Sequence, residues 1–166
     1  EGLGAGALPA VTRLELGKVH VGDAGASALA AALGRGALPR LKTLWLSDAA
    51  IGDAGLVALA PALRRLPALV HLSLIGNPVG DVGLAALVAP PLPAGSPPPT
   101  AALAKLEVLN LRSARITDAG CAALSSTLES GALPAPDRLY LSYILASAAA
   151  VAAVREALAK SRAVAS

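Results

Sequence analysis

Leu41-Lys-Thr-Leu44-Trp-Leu46-Ser-Asp-Ala-Ala-Ile51, followed by Gly52-Asp-Ala-Gly55, is the stretch whose reading decides the fold. Alternation at Leu44-Trp45-Leu46 sends two leucines to one side of a short strand and the tryptophan to the other. Ile51 then closes a turn. Asp53 stands where a helix N-cap is wanted, ahead of Ala58-Leu59 and Leu63 at helical spacing. The same order of events recurs along the chain. Leu14/Leu16, Leu72/Leu74, Leu109/Leu111 and Leu139/Leu141 repeat the leucine pair, and Val21, Val79 and Ile116 repeat the closing residue. Gly22-Asp-Ala-Gly25, Gly80-Asp-Val-Gly83 and Thr117-Asp-Ala-Gly120 repeat the phrase that follows, with Asp23, Asp81 and Asp118 as the expected caps. The fifth pair leads into Ser147 and a helix predicted over Ala148 to Lys160, whose Arg155, Glu156 and Lys160 suit the more polar face of a terminal unit.

About five units therefore start near Val11, Leu41, Leu69, Leu106 and Pro136, spaced by 30, 28, 37 and 30 residues. Helices are predicted to end at Gly36-Ala-Leu-Pro39 and Gly131-Ala-Leu-Pro134, where Gly takes a left-handed cap and Pro blocks continuation. One strand and one helix per unit, all running alike, make a parallel sheet inside an arc with helices outside. The long spacing holds a Pro-rich loop insertion at 90–100, with six prolines in eleven residues, which disfavours helix and central strand. Leu3-Gly-Ala-Gly-Ala-Leu-Pro9 repeats Leu33-Gly-Arg-Gly-Ala-Leu-Pro39, so the sequence reads as the trailing part of a longer chain.

Composition agrees with repetition. The apolar fraction is 55% but aromatics are only 2%, so the interior must be filled by many similar aliphatic layers. A net charge of +3 with interspersed signs lacks the basic stripe of a nucleic-acid binder. The Ala-rich uncharged run Leu139 to Val154 is 16 residues, short of the roughly 18 to 20 that span a bilayer. A single Cys121 makes no internal disulfide and points to an intracellular, cytoplasmic setting.

Leu41 to Ile51 and Leu69-Val-His-Leu-Ser-Leu-Ile-Gly-Asn-Pro-Val79 fit the pattern L-x-x-L-x-L-x-x-N-x-I. Over essentially its whole length, 1–166, the chain resembles the ribonuclease-inhibitor-like class of leucine-rich repeats. The resemblance implies a single α/β solenoid domain, a horseshoe with a concave parallel sheet and convex helices. It implies a non-catalytic protein-interaction scaffold, as a structural subunit of a larger assembly. Alternative expectations are a sensor or inhibitor domain of a larger receptor, or a GTPase-activating protein of the Ran-activating type. The position that is often Asn in that class is Val19, Ala49, Asn77, Ala114 and Ile144, so a continuous Asn ladder is missing and backbone or water is expected to replace it.

No catalytic, cofactor or metal site is expected. His20 and His71 stand in different units and in no metal pattern, and Cys121 replaces core residues in register. The remaining surface is the strand face turned away from the leucines. Its columns run Arg13, Thr43, His71, Val108 and Arg138; then Glu15, Trp45, Ser73, Asn110 and Tyr140; then Gly17, Ser47, Ile75, Arg112 and Ser142; then Lys18, Asp48, Gly76, Ser113 and Tyr143. All three aromatics fall in these columns and none at a core position, where Trp, Tyr and Arg most often dominate binding. Arg13, Glu15, Trp45, His71, Asn110, Arg112, Arg138, Tyr140 and Tyr143 are the expected contacts for a protein partner.

Overall fold

Each unit folds as its leucines dictate. The computed structural model describes residues 8, 10–88 and 103–165. In chain order the elements are β1 (Arg13–Glu15), α1 (Gly22–Gly34), β2 (Thr43–Trp45), α2 (Asp53–Arg65), β3 (His71–Ser73), α3 (Asp81–Val88), β4 (Val108–Asn110), α4 (Asp118–Glu129), β5 (Arg138–Tyr140) and α5 (Ala148–Ala165). The strands pair in that same order, every pair parallel. Leu14, Leu44, Leu72, Leu109 and Leu139 stand side by side in one row. Among the described residues each helix packs only on its sequence neighbours, so the architecture is a leucine-rich-repeat solenoid. The Pro-rich 90–100 insertion and the opening phrase that repeats Leu33 to Pro39 lie outside the described residues.

The core is a column of aliphatic layers. Leu44/Leu46, Leu72/Leu74 and Leu109/Leu111 are fully buried, as are Ile51, Val79 and Ile116 beneath them. In α2 the buried stripe is Leu56, Leu59, Ala60 and Leu63, the spacing of one helical face. Each such leucine contributes about 1.5–3 kcal/mol of transfer free energy. At the two ends Leu14, Leu16 and Leu139 are only partly covered, because among the described residues a neighbouring layer lies on one side alone. Gly36 and Gly131 take the left-handed cap expected of them, at φ 76° and 74°. The last helix runs five residues beyond the expected Lys160, to Ala165.

The aspartates do not cap their own helices. Helices α2, α3 and α4 begin at Asp53, Asp81 and Asp118, one residue after the cap position. The carboxylates reach forward to the next unit instead. Asp23 accepts from the Gly52 and Gly55 N–H groups at 2.8 and 3.0 Å, and Asp53 accepts from those of Gly80 and Gly83, both at 2.8 Å. Asp81 accepts from the N–H and hydroxyl of Thr117, and Asp118 from those of Ser147. Each unit thus satisfies the open N–H groups at the start of the following helix. The closing Gly of the phrase makes room for that carboxylate: a Cβ on Gly55 would stand 2.5 Å from Asp23 Oδ1, and one on Gly83 2.7 Å from Asp53 Oδ1.

Asn77 does for one junction what a ladder does for many. Fully buried, it accepts from the N–H groups of Ala49 and Ile51 at 3.1 and 3.0 Å and donates to the carbonyls of Leu46 and Leu74. Backbone bonds also tie turns of successive units: Gly22 N–H donates to the Ala49 carbonyl and Arg115 N–H to that of Val79. Asn77→Ala strands these buried groups and is expected to cost about 3 kcal/mol in urea unfolding. Gly83→Ala is expected to cost about 1–3 kcal/mol, and less when Asp53→Ala removes the carboxylate it meets. Gly34→Ala, with open space around it, is expected to be neutral or stabilising. Strict additivity of the Gly83 and Asp53 changes would contradict the inter-unit tie.

Candidate protein-binding face

Two residues of every strand turn away from the core, and the parallel register lines them up across the sheet about 4.8 Å apart. Trp45 retains 38% of its surface and Tyr143 80%, while Tyr140 is half-buried. The aromatics are therefore on the outward side, as their columns require. The column Lys18, Asp48, Gly76, Ser113 and Tyr143 is not on the strand face, however. All five residues have φ between 51° and 69°, so this column marks the left-handed turn at the rim. Strands of three residues are too short to carry it. Ser73, also expected to face outward, is buried.

Trp45, His71, Asn110 and Arg138 come together around a groove of about 370 Å³ that crosses β2 to β5. Leu72, Ile75 and Val108 supply its apolar lining. Ser47 and Ser73 also line it, with their hydroxyls 3.4 Å apart. These two serines were legible in the columns but had no chemistry to single them out. His71 is held by a hydrogen bond between Nδ1 and the Thr43 hydroxyl at 3.3 Å. Asn110 Oδ1 accepts from the Arg112 N–H at 3.2 Å, which fixes the amide with its NH₂ group available.

Arg13 and Glu15 do not join the groove. They form an ion pair, and the Arg13 guanidinium lies over the Trp45 ring, 4.5 Å from its centre. This is cross-strand packing, a cation–π contact of about 0.5–1 kcal/mol at an exposed site, and it steadies the tryptophan. Arg112 stands 6.0 Å from the centre of the Tyr143 ring at the far rim. Leu145, 67% exposed beside that turn, was missed because the matching positions Ala50, Pro78 and Arg115 share no chemistry with it. A larger hollow of about 850 Å³ lies at the end of the solenoid, between the Leu128–Pro134 segment and the last turns of α5. There Arg162 donates to the carbonyls of Pro136 and Asp137.

Among the described residues no three His, Cys, Asp or Glu gather as a metal ion requires, and no helix is long and apolar enough to cross a membrane. His20 is exposed, apart from the groove that holds His71. Cys121 is buried in α4, where burial pushes its thiol pKa up and the carboxylates of Asp118 and Asp81 push it further. A raised pKa leaves little thiolate at neutral pH. Alkylation by iodoacetamide is therefore expected to be slow in the native protein and fast in urea. Equally rapid native labelling would contradict the packing role.

A family model described as Leucine Rich repeat matches residues 38–60, 66–88 and 102–125. The matches fall on the second, third and fourth units, which contain all the completely buried leucine pairs. No curated protein matches the sequence. Repeats of this kind generally mediate protein–protein interaction. Stacked in one direction with their leucines inside and their second row of side chains outside, these units make the chain a solenoid of leucine-rich repeats.

Proposed function

We propose that the chain is a non-catalytic interaction scaffold that holds a protein partner on its concave sheet face, as a subunit of a larger assembly. The observation that carries this reading is Trp45, exposed on the far side of an aliphatic core and set among His71, Asn110 and Arg138. A large ring on the strand face does nothing for the leucine core. Against a partner it supplies area at little entropic cost, and such residues dominate interface energies at about 2 kcal/mol or more each. Its support by Arg13 pre-organises it, so less freedom is lost on binding. Tyr143 and Leu145 at the far rim extend the apolar contact. Units of 28 and 30 residues, each with a full helix, favour the ribonuclease-inhibitor-like subclass. The lone buried thiol fits an intracellular setting.

The test is partner capture followed by cross-linking mass spectrometry in native extract, which reports both the partner and the face. Trp45→Ala and Arg112→Ala are expected to lower capture about tenfold or more for the first and less for the second, with unchanged circular dichroism. Cross-links are expected on the strand face. Capture unaltered in both variants discards the concave-face reading.

A further inference from the structure

We infer that the groove between Trp45 and Arg138 takes an acidic side chain, Asp or Glu, carried on an extended segment of the partner. This inference rests on the reading of the concave face as the binding surface and names the chemistry that the face selects.

The charge on the strand face is one-sided. Across its three columns the cations are Arg13, Arg112 and Arg138, and the only acid is Glu15. Glu15 is already paired with Arg13, so those two charges cancel locally. Among the described residues neither Arg112 nor Arg138 has a carboxylate within ion-pair reach. The groove itself is lined by one guanidinium and by no acid. Two uncompensated positive charges therefore stand over a surface whose other polar groups are neutral.

Those neutral groups can offer donors to the same space. Asn110 has spent its carbonyl oxygen on the Arg112 N–H and keeps its NH₂ group. His71 has spent Nδ1 on Thr43 and keeps Nε2. Trp45 adds an indole N–H, and Ser47 and Ser73 add hydroxyls. A carboxylate accepts only, and Arg matches it with two parallel N–H bonds. Ile75 and Val108 reduce the water around the bond, which strengthens it, and receive the apolar residues on either side of the acid. The groove crosses four strands on an open sheet, so a side chain on a continuous segment fits it where a chain terminus would need a closed end.

The test uses the full chain and a synthetic peptide repeating Leu-Glu-Ser, acetylated and amidated so that its side chains are the only carboxylates. Counterparts carry Gln or Lys in place of Glu, and a further Gln peptide keeps its free C-terminus. The Glu peptide is expected to bind at least tenfold tighter than the blocked Gln peptide, and the gap is expected to shrink with added salt. Arg138→Gln, whose thermal unfolding must match wild type, is expected to close most of that gap, with Asn110→Ala closing part of it. Equal binding of Glu and Gln peptides, or tighter binding of Lys, overturns the inference. Binding of the free-terminus Gln peptide equal to that of the Glu peptide overturns it in favour of a terminal carboxylate. If no peptide binds while Trp45→Ala still lowers partner capture, the acid-binding inference fails and the concave-face reading stands. If Trp45→Ala has no effect either, both fail.

Discussion

A single carboxylate passed from each unit to the next governs how this chain stacks. Leucine burial alone drives the units together but is non-directional, and it tolerates sliding of one aliphatic layer over another. The aspartate does not. Its oxygens must meet amide hydrogens at hydrogen-bond distance, and at the Gly52 and Gly80 phrases one oxygen serves two of them. That fixes the rotation and rise of each helix on its neighbour and so, through the short connections, the register of the strands. The negative charge also lies at the N-terminus of the neighbouring helix, where the helix dipole favours it.

The tie changes form along the chain in a way the local residues explain. Where the cap position is Gly, the carboxylate supplies both the amide at the cap and the one three residues on. Where it is Thr117 or Ser147, the hydroxyl donates to the incoming carboxylate and accepts from an amide of its own helix, Ala119 or Ala150. The hydroxyl then acts as a relay. In both units the aspartate bonds at the hydroxyl-bearing cap alone, although the fourth keeps Gly120 where the fifth has Ala150. Asn77 adds a second, fully buried lock between units two and three.

Strand, turn and helix order were legible because each is set by residues close in sequence: the leucine pair, the turn closure, the Gly cap. The role of the aspartates was not, because a residue one place after the cap differs from a cap by a single position, and the acceptor's target lies 27 to 36 residues away. Of the face, the outward placement of Trp45 followed from alternation, which has a period of two and admits no ambiguity once the leucines are assigned, whereas Tyr143 is turned out by the left-handed turn after β5. Which outward residues share a groove did not follow. Arg13 and Arg138 stand in the same column with the same chemistry, yet one is drawn onto Trp45 by Glu15 and its neighbour's ring while the other faces open space. Pairing of that kind depends on side-chain geometry across strands rather than on position in the unit. Leu145 escaped notice for the opposite reason, since its column has no common character.

The separation of duties in each unit explains why a surface with a definite chemistry can exist on a fold with so little variety. Leucines and small residues carry the stacking, and nearly every residue on the strand face can change without disturbing them. Ser73 is an exception, buried in spite of its column, because Trp45 and Asn110 flank it in the register and cover it. The ring therefore makes both the wall of the groove and the roof over its polar floor. Because Arg13 is stacked on the ring's other side, the wall is held from the first strand while the cation that faces it is held from the fifth. The groove's two sides, on β2 and β5, stand three strands apart, so its width follows from how the intervening units stack, and hence from the aspartate ties between them.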